Sequence, residues 1–295
     1  DSNKPMATKQ AVSKTQEISV AHSPDSDDAF MFYALATRKV RAHGLKFTHV
    51  LSDIETLNQE AKKETYDVTA VSFFASAFLQ KNYVLLDCGA SFGDGYGPTL
   101  VAPRPLKRKD LAGKRVAVAG LLTTSYLALK LYEPKVEAVV VQFDKIADAV
   151  QAGTVDAGLL IHEGQLLYQQ TGLHRIADLG LWWGEQTGLP LPLGGNMVRR
   201  ALGAETGRAV AKAIRQSVAY ALEHREDALK YAMQFARDMD AELADKFVGM
   251  YVNHWTLGFG ERGRTAVREL LARGAKVGLL PASSVSVEFL SETDS

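Results

Sequence analysis

An α/β protein of two lobes with a ligand cleft between them is the fold that the sequence predicts, and three observations predict it. Short apolar runs alternate with helical segments from residue 18 to residue 162, the pattern of parallel β-α-β units. Pro103 and Pro105, followed by the basic run Lys107-Arg-Lys109, divide that alternation into two series. From Ala204 onward the chain turns to amphipathic helix. At 295 residues it is long enough for two domains of ordinary size. The expected division is a discontinuous first lobe, residues 17–103 plus 198–290, and a second lobe, residues 104–197. Residues 1–16 and 291–295 are polar and expected to be disordered.

The first strand is expected over 18–21, followed by the turn His22-Ser23-Pro24-Asp25-Ser26-Asp27-Asp28. Its carboxylates suit the start of a helix over 29–36, because free amides and the helix dipole favour negative charge there. A strand over 45–51, a helix opening at Asp53, a strand over 68–72, an apolar helix over 73–79 and a strand over 84–87 complete the first series. Gly89, Gly93, Gly95 and Gly97 then crowd one short loop, a density that marks a tight or closely approached backbone. No Gly-Lys-Ser/Thr ending or dinucleotide fingerprint accompanies them, so neither a phosphate loop nor a nucleotide fold is indicated.

The second series opens with a strand over 115–119 and a helix over 126–132 headed by Thr123, Thr124 and Ser125. Hydroxyls beside the free amides of a helix start can cap it, and they can also cradle a carboxylate or phosphate. After a strand over 136–141 and a helix over 146–151, the run 157–161 is apolar without alternation, as in a strand covered on both faces. It ends abruptly in His162-Glu163-Gly164. Ligands of open α/β sheets sit at the carboxyl ends of strands, and histidine titrates nearest neutrality. His162 is therefore a candidate base, although a helix cap or a backbone hydrogen bond would equally account for it. Pro190, Pro192, Gly194 and Gly195 within the apolar segment 188–196 argue against an ordinary helix or central strand. That segment is expected to line a site or to return the chain, bent, to the first lobe. One long helical stretch over 204–236 with a break near 223–227, then helices over 241–251 and 264–272, finish the fold.

Composition narrows the function. Lys plus Arg and Asp plus Glu both number 34, so no electrostatic footprint for nucleic acid or an acidic membrane is present and a small-molecule partner is expected. The single cysteine, Cys88, rules out an intrachain disulfide and a cysteine-based zinc site. No apolar run is long enough to span a bilayer, and residues 1–16 lack the apolar centre of a signal peptide, so a cytoplasmic location is expected. Monomer and homodimer are both compatible with this composition.

Five motifs in order, His22-Ser-Pro-Asp-Ser-Asp-Asp-Ala-Phe-Met-Phe32, Asp53-Ile-Glu-Thr-Leu-Asn58, Gly95-Tyr-Gly-Pro98, Ile161-His-Glu-Gly164 and Gly188-Leu-Pro-Leu-Pro-Leu-Gly194, carry a family resemblance. Over roughly residues 18–285 the chain resembles the 1,4-dihydroxy-6-naphthoate synthases of the futalosine route to menaquinone. The resemblance implies a periplasmic-binding-protein-like type II fold and no metal or organic cofactor. It implies cleavage of cyclic dehypoxanthine futalosine, a carboxylate, to 1,4-dihydroxy-6-naphthoate. Residue by residue, it implies that His162 is the base, neutral at rest, and that Thr123, Thr124 and Ser125 hold the substrate carboxylate. Ser23 and Asp25 in the first turn, Ser72 and Phe73 after the third strand, Gly97 in the glycine loop, and Leu191, Pro192 and Asn196 in the apolar segment are the further expected substrate contacts. Several relatives read Ser-Pro-Cys-Pro-Asn-Asp where this chain reads Ser23-Pro-Asp-Ser-Asp-Asp28, so Asp25 and Asp27 bring new charge into the turn. The alternatives are chorismate dehydratase of the same pathway, against which the Ile161-His-Glu-Gly and Leu-Pro-Leu-Pro-Leu-Gly segments argue, and a non-catalytic solute-binding protein.

Overall fold

The computed structural model describes residues 14–236 and 239–293. Strand β1 (Gln16–His22) leads through helix α1 (Ser26–Ala36) to β2 (Leu45–Leu51), and α2 (Ile54–Lys62) leads to β3 (Val68–Ser72). Both units are right-sized crossovers, and β1 lies parallel to β2 and β3. A single short turn, α3 (Phe73–Ser76), precedes β4 (Tyr83–Leu86) and β5 (Ser91–Gly93). The apolar segment after β3 is thus helical for four residues rather than through residue 79. One reason is local: the Ser76 hydroxyl donates to the Phe73 carbonyl at 2.6 Å and offers the backbone an alternative to continued helix.

The second series comprises β6 (Thr99–Ala102), β7 (Arg115–Val118), α4 (Thr124–Tyr132), β8 (Glu137–Val140), α5 (Ile146–Gln151), β9 (Ala157–Leu160), α6 (Gly164–Leu167), β10 (His174–Asp178) and α7 (Leu179–Thr187). Strand β11 (Leu191–Arg199) then returns the chain to the first sheet. The helical remainder is α8 (Ala204–Glu223), α9 (Arg225–Ala232), α10 (Ala241–Tyr251), α11 (His254–Leu257) and α12 (Gly260–Lys276), closed by β12 (Phe289–Leu290). The break between α8 and α9 falls at His224, inside the expected interval.

Two sheets result. The first is ordered β12-β4-β11-β3-β1-β2 with β5 paired to β11, and the second β10-β6-β9-β7-β8. The crossings lie earlier than the expected breaks at 103 and 197: β6 pairs with β9 and β10 in the second sheet, and β11 with β3, β4 and β5 in the first. Residues 94–98 and 188–190 therefore carry the chain between the lobes. That β11 is a central strand corrects the reading of residues 188–196. Register shifts between Pro192 and Gly194, and β3 joins only from Gly194 onward, so the missing proline N–H falls at the bulge.

On the crossing side the lobes share one apolar core. Phe73, Phe92, Leu127, Trp183 and Leu271 belong to it, and a Cβ on Gly274 of α12 would sit 3.2 Å from Leu127 of α4. The end of the chain is tied down as well. Arg215 pairs with Glu292 at 3.3 Å and the Ser291 and Thr293 hydroxyls meet at 3.0 Å, so the expected disorder does not extend to residues 291–293. Strand β1 likewise begins at Gln16, whereas residues 1–13, 294 and 295 lie outside the described part.

Candidate active site

Four strand ends meet at one cleft. The turn after β1 supplies Ser23, Asp25, Asp27 and Asp28, and the end of β3 supplies Ser72. The helix start after β7 supplies Thr123, Thr124 and Ser125, and the end of β9 supplies Ile161 and His162. Together with Ser91, Pro98, Leu193, Gly194, Phe247 and Tyr251, they border a cleft open to solvent, with about 710 Å³ of atom-free space including that opening.

His162 is the most constrained member. Its backbone is left-handed at φ 56°, a conformation that costs a non-glycine residue energy and is kept where surroundings enforce it. Its Nδ1 lies 2.7 Å from Asp25 Oδ2, and its ring meets the Phe143 ring edge-on at 4.9 Å. With Nδ1 taken, Nε2 is the nitrogen left for a ligand. Withdrawal from water pulls the imidazole pKa down, but the Asp25 carboxylate, by charge and hydrogen bond, and then Glu163 and Asp27, more than reverse this and raise it to about 9. With Asp25 in contact the ring is therefore held as an imidazolium near neutral pH, whereas the sequence reading expects a neutral resting base.

The carboxylates of the turn are shifted upward as well, which in their case favours the neutral form. Loss of water and the neighbouring Asp28, Asp25 and Glu163 push Asp27 well above the usual carboxylate range. Burial likewise raises Asp28 to about 6, against hydrogen bonds from Ser23 and with repulsion from Asp25. Ser23 organises this turn: its N–H and hydroxyl donate to Asp28 Oδ2 at 3.0 and 2.8 Å, and the hydroxyl also lies 3.2 Å from Asp25 Oδ2. Behind the turn, His22 is buried, and burial lowers it to about 3. Its ring therefore stays neutral, with Nδ1–H donating to the Ser23 carbonyl at 2.9 Å and Nε2 accepting from His49 Nδ1 at 3.1 Å.

The other two strand ends are uncharged. Ser72 is fixed by Asn58, whose side chain accepts from the Ser72 N–H at 2.9 Å and donates to its hydroxyl at 3.0 Å. The three hydroxyls at the head of α4 are largely engaged with the protein. Ser125 donates to Thr123 at 3.0 Å, Thr123 donates to the Gly120 carbonyl at 2.7 Å and caps Tyr126 N–H, and Thr124 donates to the Leu193 carbonyl at 2.9 Å while accepting from Phe74 N–H. The N–H groups of Thr124 and Ser125 have no intrahelical partner at this position, so the backbone, more than the hydroxyls, offers an anion its donors.

Five expected contacts lie elsewhere. Phe73 is fully buried against Phe92 and Phe259, and Leu191 is in the same core. Pro192 is paired opposite Phe92, and the cavity is reached instead by the next two residues, Leu193 and Gly194. Gly97 packs its backbone on Gly180. Asn196 turns away from the cleft and donates to the Gly89 carbonyl at 2.8 Å. Among the lining residues not foreseen are Gln165 and Tyr251, and Glu163, which the sequence leaves without a role, gains a partner across the lobes. Buried Glu163 Oε1 accepts from the Ser26 hydroxyl at 3.3 Å, and Tyr251 OH donates to Gln165 Oε1 at 2.6 Å. Gln165 follows His162 by three positions, a one-turn spacing that was a readable signal for it alone. Among the described residues, no group of three or more His, Cys, Asp or Glu side chains could hold a metal ion, and no helix is long and apolar enough to cross a membrane.

Comparison with known proteins agrees with this picture. Residues 18–276 match the family model described as menaquinone biosynthesis. The 1,4-dihydroxy-6-naphthoate synthase of Thermus thermophilus is 42% identical over 268 residues, 91% of this chain and 97% of that protein. The Streptomyces coelicolor synthase is 41% identical over 272 residues, 90% of this chain and 95% of that protein. Among solved structures, an Archaeoglobus fulgidus protein superposes with a TM-score of 0.86 at 46% identity, covering 90% of this chain and 98% of its own. The alkanesulfonate-binding protein of Xanthomonas axonopodis pv. citri, solved with MOPS, matches with a TM-score of 0.69 at 15% identity over 94% of this chain and 99% of its own. At that identity the likeness is one of fold, the periplasmic-binding-protein architecture of two lobes around a cleft. The chain belongs to the menaquinone-biosynthesis family, that of the 1,4-dihydroxy-6-naphthoate synthases.

Proposed function

We propose that this chain cleaves cyclic dehypoxanthine futalosine to 1,4-dihydroxy-6-naphthoate as a carbon-carbon lyase, with His162 as the base. One observation carries the assignment of the base: a strained histidine, Nδ1 held by a carboxylate, lines a cavity that also takes in the free amides of a helix start. The substrate carboxylate is placed on the Thr124 and Ser125 amides, because a helix start attracts an anion and the Asp25 carboxylate would repel it. Nε2 of His162 then removes a proton, and elimination with carbon-carbon cleavage follows, releasing the sugar-derived fragment and drawn forward by formation of the aromatic ring. General-base catalysis contributes about two to four orders of magnitude, so positioning within the closed cleft supplies much of the rest.

The test is turnover of the cyclic substrate followed by product absorbance, with wild type beside His162→Asn. Wild type forms the naphthoate and the variant loses roughly 100-fold or more in kcat with its fold intact. Turnover by the variant within a few-fold of wild type would remove the base assignment. Absence of product from wild type would remove the reaction. Because proton removal needs neutral imidazole, kcat is also expected to rise with pH through about 9, the opposite of what an imidazolium acid would give.

A further inference from the structure

Residues 162–165 reach from the second lobe onto the first three times. His162 meets Asp25 at 2.7 Å, Glu163 accepts from Ser26 at 3.3 Å, and Gln165 accepts from Tyr251 at 2.6 Å. Asp25 and Ser26 stand at the head of α1, and Tyr251 ends α10, whose Val248 shares the apolar core of α1, β1 and β4, while Tyr251 itself lies in a small apolar cluster with Leu166 and Leu167 of α6. The crossing side is held by shared apolar core, whereas these three contacts are polar and border the cavity. Opening of the cleft about the crossing side would part His162 from Asp25. Two further details single out Asp25. It occupies the N-cap position of α1, yet its side chain makes no cap hydrogen bond, although aspartate is among the best capping residues. Its carboxylate is buried and turned to His162, whose own backbone is in the left-handed region.

We infer that Asp25 is the positioning residue for His162 and that, because the two belong to different lobes, the base is assembled only when the cleft closes. This rests on the reading of His162 as the base. In the closed form Asp25 takes Nδ1–H, directs Nε2 at the substrate and stabilises the imidazolium that forms when the proton leaves the substrate for Nε2, its electron pair remaining on the substrate. Asp25 itself keeps its charge. The other groups facing His162 are Asp27 and Asp28 from the α1 turn and Glu163 beside it; they act in the same direction but more weakly than Asp25.

The experiment pairs pH profiles of kcat with an NMR titration of the His162 ring, identified by its absence in His162→Asn, with the naphthoate product bound to hold the cleft closed. In Asp25→Asn the midpoint of both is expected to fall by about one pH unit or more relative to wild type. The kcat of this variant is expected to drop roughly tenfold or more, with KM changed only a few-fold. Asp25→Glu, which keeps the charge, restores the midpoint. In wild type, the ring midpoint is expected to be higher with product than without it. Midpoints that coincide in wild type and Asp25→Asn overturn the inference, as does a product-bound wild-type midpoint at the ordinary histidine value, which needs no variant to fold. If His162→Asn retains turnover, the base reading fails, and the NMR titration still decides whether Asp25 holds the ring. If His162→Asn is inactive and Asp25→Asn is unshifted, only the positioning role fails.

Discussion

A Cβ added to Gly180 would lie 1.9 Å from the Tyr96 carbonyl oxygen, and one added to Gly93 would lie 2.0 Å from the same atom. The glycine loop thus exists to let the Tyr96 carbonyl nest between β5 and α7, where the chain crosses between lobes. Gly180→Ala is expected to destabilise the protein by about 1–3 kcal/mol, since backbone cannot yield as a side chain can; urea unfolding measures it, and an unchanged midpoint would refute the close approach. At the same scale, the density of glycines was legible but its reason was not: Gly180 lies far along the chain from Gly93, and only contact shows that they share one carbonyl. The charge of His162 was illegible for the same reason, being set by Asp25, far from it in sequence.

Elements were the most legible level, because period and capping are local. Strand β2 has the expected bounds, β3 likewise, and α2 opens at Asp53, whose side chain caps Thr56 N–H at 3.1 Å. Failures occur where a neighbour overrides local preference. Strand β11 is central despite its proline and glycines because β5 and β3 share its length unequally, leaving Pro192 at the bulge. Asn58 shows how one buried side chain can join two elements, tying α2 to the end of β3 through both the N–H and the hydroxyl of Ser72. Asn58→Ala leaves that N–H buried without its acceptor and is expected to cost about 1–3 kcal/mol in urea unfolding. A loss below a few tenths of a kcal/mol would show that Ser72 finds another partner.

At the scale of the whole molecule, the two sides of the cleft differ in chemistry, apolar at the crossings and polar at the mouth. Stability is accordingly expected to depend on pH. The His162 pKa is raised on folding, so its contribution is fully present below about 6.5 and lost as pH rises through about 9. Thermal denaturation with the cleft held closed by product should show Tm falling over that window by on the order of 5 °C, with the fall reduced in His162→Asn. Equal slopes in the two proteins would mean that the ring is not charged in the fold. His22 acts in the reverse sense: lowered on folding, it favours the fold above about 6.5 and withdraws that support as pH falls toward 3.

The sequence by itself determined the alternation of strands and helices, the family, and four strand-end positions, Ser23, Ser72, Thr123 and His162, that do converge on one cavity. These are legible because apolar period, caps and ordered motifs are properties of neighbouring residues. Only the tertiary structure decided which lobe each crossing strand joins, that the α4 hydroxyls are largely engaged with the protein, and that Asp25, Glu163 and Tyr251 close around His162 and Gln165. Those outcomes depend on sheet order and on charges brought together from distant parts of the chain. A carboxylate at residue 25 and an imidazole at residue 162 carry no sign of each other until folding places them 2.7 Å apart, out of water, where the carboxylate favours the charged imidazole.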